Sequence, residues 1–218
     1  MTSHHAVRRA GRPRIKPDEQ PTKQRILETA AELFSRHGFT GVSIRDITKA
    51  VGIKESSLYN HFQHKEALLD AVFDRMEREF ASRDLAEERL RTEILEKTPE
   101  EFMRASFQRF MNFWKDPVRI KLWLVVSIEQ YRNQRAGELI LHESRRVMKL
   151  AEFAFASMRS MDKIRSLDPR TLAEIYTGTL RGMQMEMAIL MSAGRNVSGV
   201  RRRADEFISF FASLITNG

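Results

Sequence analysis

The chain contains no cysteine, which excludes disulfides, thiol catalysis and cysteine-ligated zinc and suits a reducing compartment. Long apolar runs are missing as well. The longest, Leu122 to Ile128, falls far short of the ~20 residues that span a bilayer. The basic N-terminus is followed by no apolar stretch of the kind a secretory signal needs. A cytoplasmic protein without membrane contact is therefore expected. Glycine is sparse, at 10 of 218 residues, and β-branched residues form no alternating pattern, so strands are not expected. There is no Gly-rich phosphate loop and no His-Glu-x-x-His motif. His61 and His64 stand three apart without further ligands around them. No enzyme, metal site or cofactor is expected.

What the chain does have is Leu, Met, Ala, Glu, Arg and Phe recurring at helical spacing, which predicts an all-α fold. The six prolines agree. Pro13, Pro17 and Pro21 lie in an N-terminal arm, and the others occur as Thr98-Pro99, Asp116-Pro117 and Asp168-Pro169, each a capping residue before proline at the first helical position. Glu101 completes a capping box on Thr98.

Charge is uneven. The net charge is +8; residues 1–65 hold 12 Lys/Arg against 6 Asp/Glu, and the rest hold 25 against 23. Basic charge concentrated in the first third suits contact with a polyanion. Residues 1–20 read as a disordered basic arm, and Gly11-Arg12-Pro13-Arg14 within it resembles the AT-hook, an arginine clamp for narrow minor grooves. Arg12 and Arg14 are thus candidate DNA contacts, with a solvated tail as the equally open reading.

Along the chain, Thr22 to His37 forms an amphipathic helix with Ile26, Leu27, Ala30, Leu33 and Phe34 on one stripe and Gly38 as its stop. Ser43-Ile44-Arg45-Asp46 has capping-box spacing, Gly52 punctuates, and a second short helix follows. Two short helices joined by a tight turn have the form of a helix-turn-helix, whose second helix lies in the major groove. Ile44, Ile47, Val51, Ile53, Leu58 and Phe62 can face inward. That leaves Arg45, Lys54, Glu55, Ser56, Ser57, Tyr59, Asn60, His61 and Lys65 outside, side chains suited to base edges and phosphates.

The stretch Phe39-Thr40-Gly41-Val42-Ser43-Ile44-Arg45-Asp46-Ile47, then Val51-Gly52-Ile53, Ser57-Leu58-Tyr59-Asn60-His61-Phe62 and Lys65-Glu66-Ala67-Leu68-Leu69, resembles the signature of the TetR family of bacterial transcriptional regulators. The resemblance covers about Arg25 to Val72 and implies residue roles. Tyr59, His61 and Lys65 would meet the DNA backbone, and Arg45 a guanine. Lys54, Glu55, Ser56 and Ser57 would occupy the variable reading positions. Glu55 departs from what phosphates favour, and either accepts from a cytosine amino group or faces solvent.

For the remainder the resemblance implies domains at 21–65 (helix-turn-helix) and 66–218 (effector binding and dimerisation). The last two helices would pair with a second copy. Their apolar stripes include Tyr176, Leu180 and Met183, and Phe207, Ile208, Phe211 and Leu214; Gly178 and Gly182 can allow close helix approach. Packing within one chain is the alternative use of both stripes. The resemblance also implies a small-molecule pocket, placed among the large side chains of the middle helices: Phe107, Phe110, Met111, Trp114, Trp123, Tyr131, Phe153, Tyr176 and Met183. Core packing is the alternative for each of these. The Met- and Phe-rich setting suits a hydrophobic effector. Glu129 and His142 are expected in solvent, and Arg201, Arg202 and Arg203 on a solvated or salt-bridged rim.

The expected function is a dimeric DNA-binding regulator, most simply a repressor that leaves a palindromic operator when a small effector binds. The second reading is a ligand-independent DNA-binding protein that organises the chromosome or controls cell division; it predicts no ligand cavity. A helical adaptor whose arm meets membrane lipids leaves the Ser57, Tyr59, Asn60 and His61 set unexplained.

Overall fold

The computed structural model describes residues 21–83 and 86–216, and all its regular elements are helices. In chain order they are α1 (Thr22–His37), α2 (Ile44–Val51), α3 (Glu55–Tyr59), α4 (Lys65–Ala81), α5 (Glu87–Glu96), α6 (Pro99–Phe113), α7 (Pro117–Glu129), α8 (Gln134–Ser160), α9 (Pro169–Ser192) and α10 (Ser198–Ile215). The arm carrying Arg12 and Arg14 lies outside the described residues.

Local chemistry explains most of the boundaries. Side chains of Ser43, Thr98, Asp116 and Asp168 accept from the first free N–H groups of α2, α6, α7 and α9, and three of these helices begin with proline. Both expected capping boxes form, with Asp46 and Glu101 reaching back to the cap N–H at 2.8 Å. Gly38 and Gly52 end α1 and α2 at φ 69° and 76°, a region closed to most side chains. Gly41 is required for a different reason, since a Cβ there would overlap the His37 carbonyl oxygen.

Two apolar clusters divide the interior. One runs from Ile26 and Phe34 through Ile47, Leu58 and Phe62 into Leu68, Phe73, Met76 and Phe80 of α4, and on to Leu122, Val125 and Val126 of α7. The other joins α5, α6, the later part of α8, α9 and α10. The core therefore does not break at residue 65, where the domain boundary was expected, because α4 and α7 complete the apolar packing of the first three helices. Helix α7 touches α1, α4, α8 and α9. Being covered from several sides, it is apolar nearly all round.

That enclosure corrects one expectation. Glu129, expected in solvent, is buried at the end of α7, whereas His142 is exposed as anticipated. Helix α7 stops at Glu129, and Asn133 beyond it caps α8 by accepting from the Ala136 N–H at 3.2 Å. The charged stretch after Arg83 contains α5, held by the buried Leu90 and Ile94.

Candidate nucleic-acid interface

Helix α3 is only five residues long, and its position is fixed from below. Leu58 is fully buried, Phe62 follows one turn later, and the Arg25 side chain of α1 donates to the Val51 carbonyl at 2.8 Å. With those anchors in place, Lys54, Glu55, Ser56, Tyr59, Asn60 and His61 are exposed and Ser57 is half-buried. Arg45 projects from α2 on the same side, donating through Nε to a Glu55 carboxylate oxygen at 3.2 Å. The described residues expected to contact DNA are thus exposed or half-buried around the α2–α3 turn and the start of α4. The Arg45–Glu55 pair supplies a third role for Glu55 beyond the two anticipated. It orients the arginine across the turn.

Lys65 opens α4, where the helix dipole does not favour a cation. Its ammonium sits 4.2 Å from the centroid of the Phe39 ring, a cation–π contact that fixes a long flexible side chain. His64 caps the same helix, its Nδ1 accepting from the Ala67 N–H at 3.0 Å. That nitrogen has no proton to give Glu66, 3.4 Å away, so the role of His64 is capping, not ion pairing. Sequence reasoning missed this cap because histidine is not a usual N-cap residue.

A second feature lies between α4, α6, α7, α8 and α9: a cavity of about 920 Å³. Six of the nine residues expected around a pocket line it, namely Phe107, Phe110, Trp114, Trp123, Tyr131 and Tyr176. Tyr131 is 89 % exposed and so belongs to the mouth. Met111, Phe153 and Met183 do not line it. Met111 is buried against the other core cluster, and Phe153 lies under the Arg91 guanidinium at 4.8 Å. Phe80, Phe113, Trp114 and Trp123 pack edge-on or stacked with centroids 5.0–6.2 Å apart. Burial pushes the Tyr176 hydroxyl above the usual phenol range, and its oxygen donates to the Met103 carbonyl at 3.4 Å.

Cavity and helix-turn-helix share structural members. The cavity wall includes Phe80 and Arg83 at the far end of α4 and Trp123 on α7. Helix α4 is tied to α8 by Arg135, paired with Asp70 and Asp74, and by the Arg146 guanidinium donating to the Phe80 carbonyl at 2.9 Å. Helix α7 is tied to α1 by the Lys121–Glu32 ion pair, and Lys121 holds the Glu32 carboxyl below its usual range.

The expected dimer residues separate into two groups. Tyr176, Ile208 and Phe211 are buried in the chain's own core, and Leu180, Met183 and Phe207 are half-buried against it; only Leu214 is substantially exposed. The stripe had been drawn around the most apolar positions, and those are the ones the single chain uses. The exposed apolar face consists of Ile175, Met185 and Ile189 on α9 with Phe210 and Leu214 on α10. Arg202 and Arg203 pair with Glu206 and Glu186, which makes that end of α10 a salt-bridged rim.

A five-residue exposed reading helix, set on a three-helix base and continued into a larger helical body with its own cavity, defines an all-α helix-turn-helix protein. Residues 26–72 match the family model described as bacterial regulatory proteins, tetR family. Over these residues, a minority of the chain, the protein is similar to that family. The HTH-type transcriptional regulator UidR of Escherichia coli (strain K12) is 43% identical over 58 residues, 27% of this chain and 30% of that one. The HTH-type transcriptional repressor KstR2 of Rhodococcus jostii (strain RHA1) is 43% identical over 47 residues, 22% of this chain and 23% of that one. The matched part therefore spans less than a third of either curated relative. Among solved structures, a transcriptional regulator (TerR/AcrR family) from Aquifex aeolicus VF5 is 26% identical with a TM-score of 0.58, covering 87% of this chain and 99% of that one. The SmeT–triclosan complex is 19% identical with a TM-score of 0.62, covering 91% and 93%, a likeness of fold.

Proposed function

We propose that the protein is a transcriptional regulator that binds a palindromic operator as a homodimer and is released from it by a small, largely hydrophobic effector. The observation that carries this reading is that one helix, α4, begins at the half-buried Lys65, just after the exposed Tyr59 and His61, and ends in the wall of the 920 Å³ cavity. Tyr59, His61 and Lys65 hold phosphates, Arg45 and the Lys54–Ser57 segment meet base edges, and Glu55 releases Arg45 on binding.

A single helix-turn-helix covers too few base pairs for high specificity, so two copies are needed about one helical turn apart or a multiple of it. The face that pairs them is Ile175, Met185 and Ile189 with Phe210 and Leu214. Gly178 and Gly182 lie between the α9 residues, with open space where a Cβ would stand. An effector that binds the released arrangement tenfold better shifts the equilibrium by about 1.4 kcal/mol, enough to matter at an operator.

A cavity of this size falls within the range of small-molecule sites, roughly 300–1,000 Å³. It favours a ligand-responsive regulator over a ligand-independent chromosome-organising protein. Repression is the simplest sign of action, because release on effector binding then switches genes on. The test is to select binding sites from random duplex DNA and measure affinity for the recovered sequence. An inverted repeat bound by two chains supports the reading; sequence-independent binding that no small molecule alters refutes it.

A further inference from the structure

The wall of the cavity is aromatic, yet the charges on it are one-sided. Among the described residues, Arg83, Arg89, Arg109, Arg119 and Arg181 line it, against the carboxylate of Glu143. Behind the wall the arginines share their counterions. Glu143 accepts from Arg83 at 2.7 Å and from Arg146 at 2.8 Å. Glu79 accepts from Arg119 and from Arg75, both at 2.7 Å, and Asp116 stands further from Arg119 at 3.8 Å. Arg109 is matched by Glu93 at 2.6 Å. At Glu143 the two guanidinium groups meet one carboxylate, so among the described residues this mostly buried cluster carries one positive charge in excess. Such a charge is costly to keep. Burial pushes the Arg83 guanidinium below its usual range; Glu143 opposes that shift and Arg146 adds to it.

Two further observations come from the same wall. Arg83 and Arg119 both stack on the Phe113 ring, at 5.1 and 4.7 Å from its centroid, and Trp114 lies against that ring at 5.0 Å. Trp114 is 5 % exposed, and its indole Nε1–H has no hydrogen-bond partner among the described residues. The Ser127 hydroxyl, one turn beyond Trp123 on α7, is likewise buried with no partner among them. Both residues line the cavity. A buried donor left unpaired is destabilising, so the site as it stands is incomplete.

We propose that the effector is an organic anion, a carboxylate on an aromatic or alicyclic body, whose acid group sits against Arg83, Arg119 and Trp114 while its body stacks among Phe80, Phe110 and Trp123. A carboxylate is an acceptor with two oxygens and a full charge. It supplies a counterion for that excess charge and accepts from the indole at once, which neither a neutral hydrocarbon nor a cation can do. This rests on the regulator reading above and narrows it to one chemical class.

The test is a matched series on one body: biphenyl-4-carboxylate, its methyl ester and 4-aminomethylbiphenyl, each titrated into the full chain. Binding is read by calorimetry and by the fluorescence of Trp114 and Trp123, the two tryptophans of the sequence. The acid is expected to bind at least about tenfold more tightly than the ester, and the amine most weakly. In Arg83→Met the preference for acid over ester should collapse, and in Arg83→Lys it should partly survive. Arg119→Met provides a second variant with the same expectation, and melting curves establish that each is folded. Equal affinity for acid and ester, preference for the amine, or no binding of the acid at millimolar concentration overturns the proposal. DNA binding by the same preparation is measured separately. If it is retained while the acid fails, the anion is wrong and the regulator stands; if it is absent, the regulator reading fails too.

Discussion

At the scale of single residues, the candidate interface is shaped by how side chains are held as much as by which ones are present. Lys65 is a clear case: a lysine loses considerable freedom when it binds phosphate, and the contact with Phe39 has already restricted it before DNA arrives. Lys65→Ala is expected to weaken binding to all DNA sequences alike and to reduce the salt slope of log K by about 1, read by fluorescence anisotropy across a salt series. Loss of discrimination between sequences instead would mean that Lys65 reads bases. Gly41 sits nearby for a steric reason. Gly41→Ala must push the new methyl off the His37 carbonyl oxygen, and overpacking of this kind costs about 1–3 kcal/mol. A melting curve superimposable on the parent's would show that the loop yields freely.

At the scale of elements, the short helices depend on their caps. Helix α2 has eight residues, too few to persist alone, so its box of Ser43 and Asp46 matters more than it would on a long helix. Ser43→Ala is expected to cost about 0.5–2 kcal/mol, measured by denaturant unfolding. Acid provides a second probe. Hydrogen bonds from Ser43 hold the Asp46 carboxyl below its ordinary value, those from Thr98 do so for Glu101, and those from Thr171 for Asp168. A carboxyl depressed in the folded state contributes stability that is complete above the unfolded pKa, about 4, and is lost as pH falls through the lower folded value. Stability should therefore be flat in these groups near neutrality and fall below about pH 4. Ser43→Ala should soften that fall, and an unchanged acid profile in the variant would argue against the box. The longer helices use ion pairs between elements in a comparable way, with Arg135 spanning α8 to α4 and Lys121 spanning α7 to α1.

At the scale of the whole molecule, the two apolar clusters meet along α6 and α8, and the cavity lies where they adjoin. A ligand there touches the end of α4 and the middle of α7, the two helices that complete the core beneath the helix-turn-helix. Coupling then requires only that the two arrangements of these helices differ in how well they accept the ligand. The proposed dimerisation also belongs to this scale. Phe210, 62 % exposed, and Met185, 68 % exposed, leave a broad apolar face on α9 and α10. Phe210→Glu buries a charge in any paired interface, so it should shift the chain toward monomer in sedimentation velocity and lower affinity for a full inverted repeat. Affinity for a single half-site should change little. A variant that remains dimeric would move the pairing surface away from α10.

The sequence by itself determined most helix starts and the glycine stops, because capping, proline placement and left-handed glycines are local chemistry that acts within a turn or two. It also determined which residues around Gly52 are free, since the apolar positions there can face only one way once a tight turn is made. Tertiary structure decided the rest. Whether an apolar position on α9 or α10 faces the chain's own core or a second copy depends on which neighbour reaches it, and periodicity does not encode that; Ile208 and Phe211 went inward while Phe210 stayed out. Burial of Glu129 followed from the helices that close around α7. The Arg45–Glu55 pair, ten residues apart, and the Arg83–Glu143 pair, 60 apart, exist only because separate segments bring those groups within hydrogen-bonding distance. Charge can be counted along a sequence, but which charges lack a counterion is set by packing.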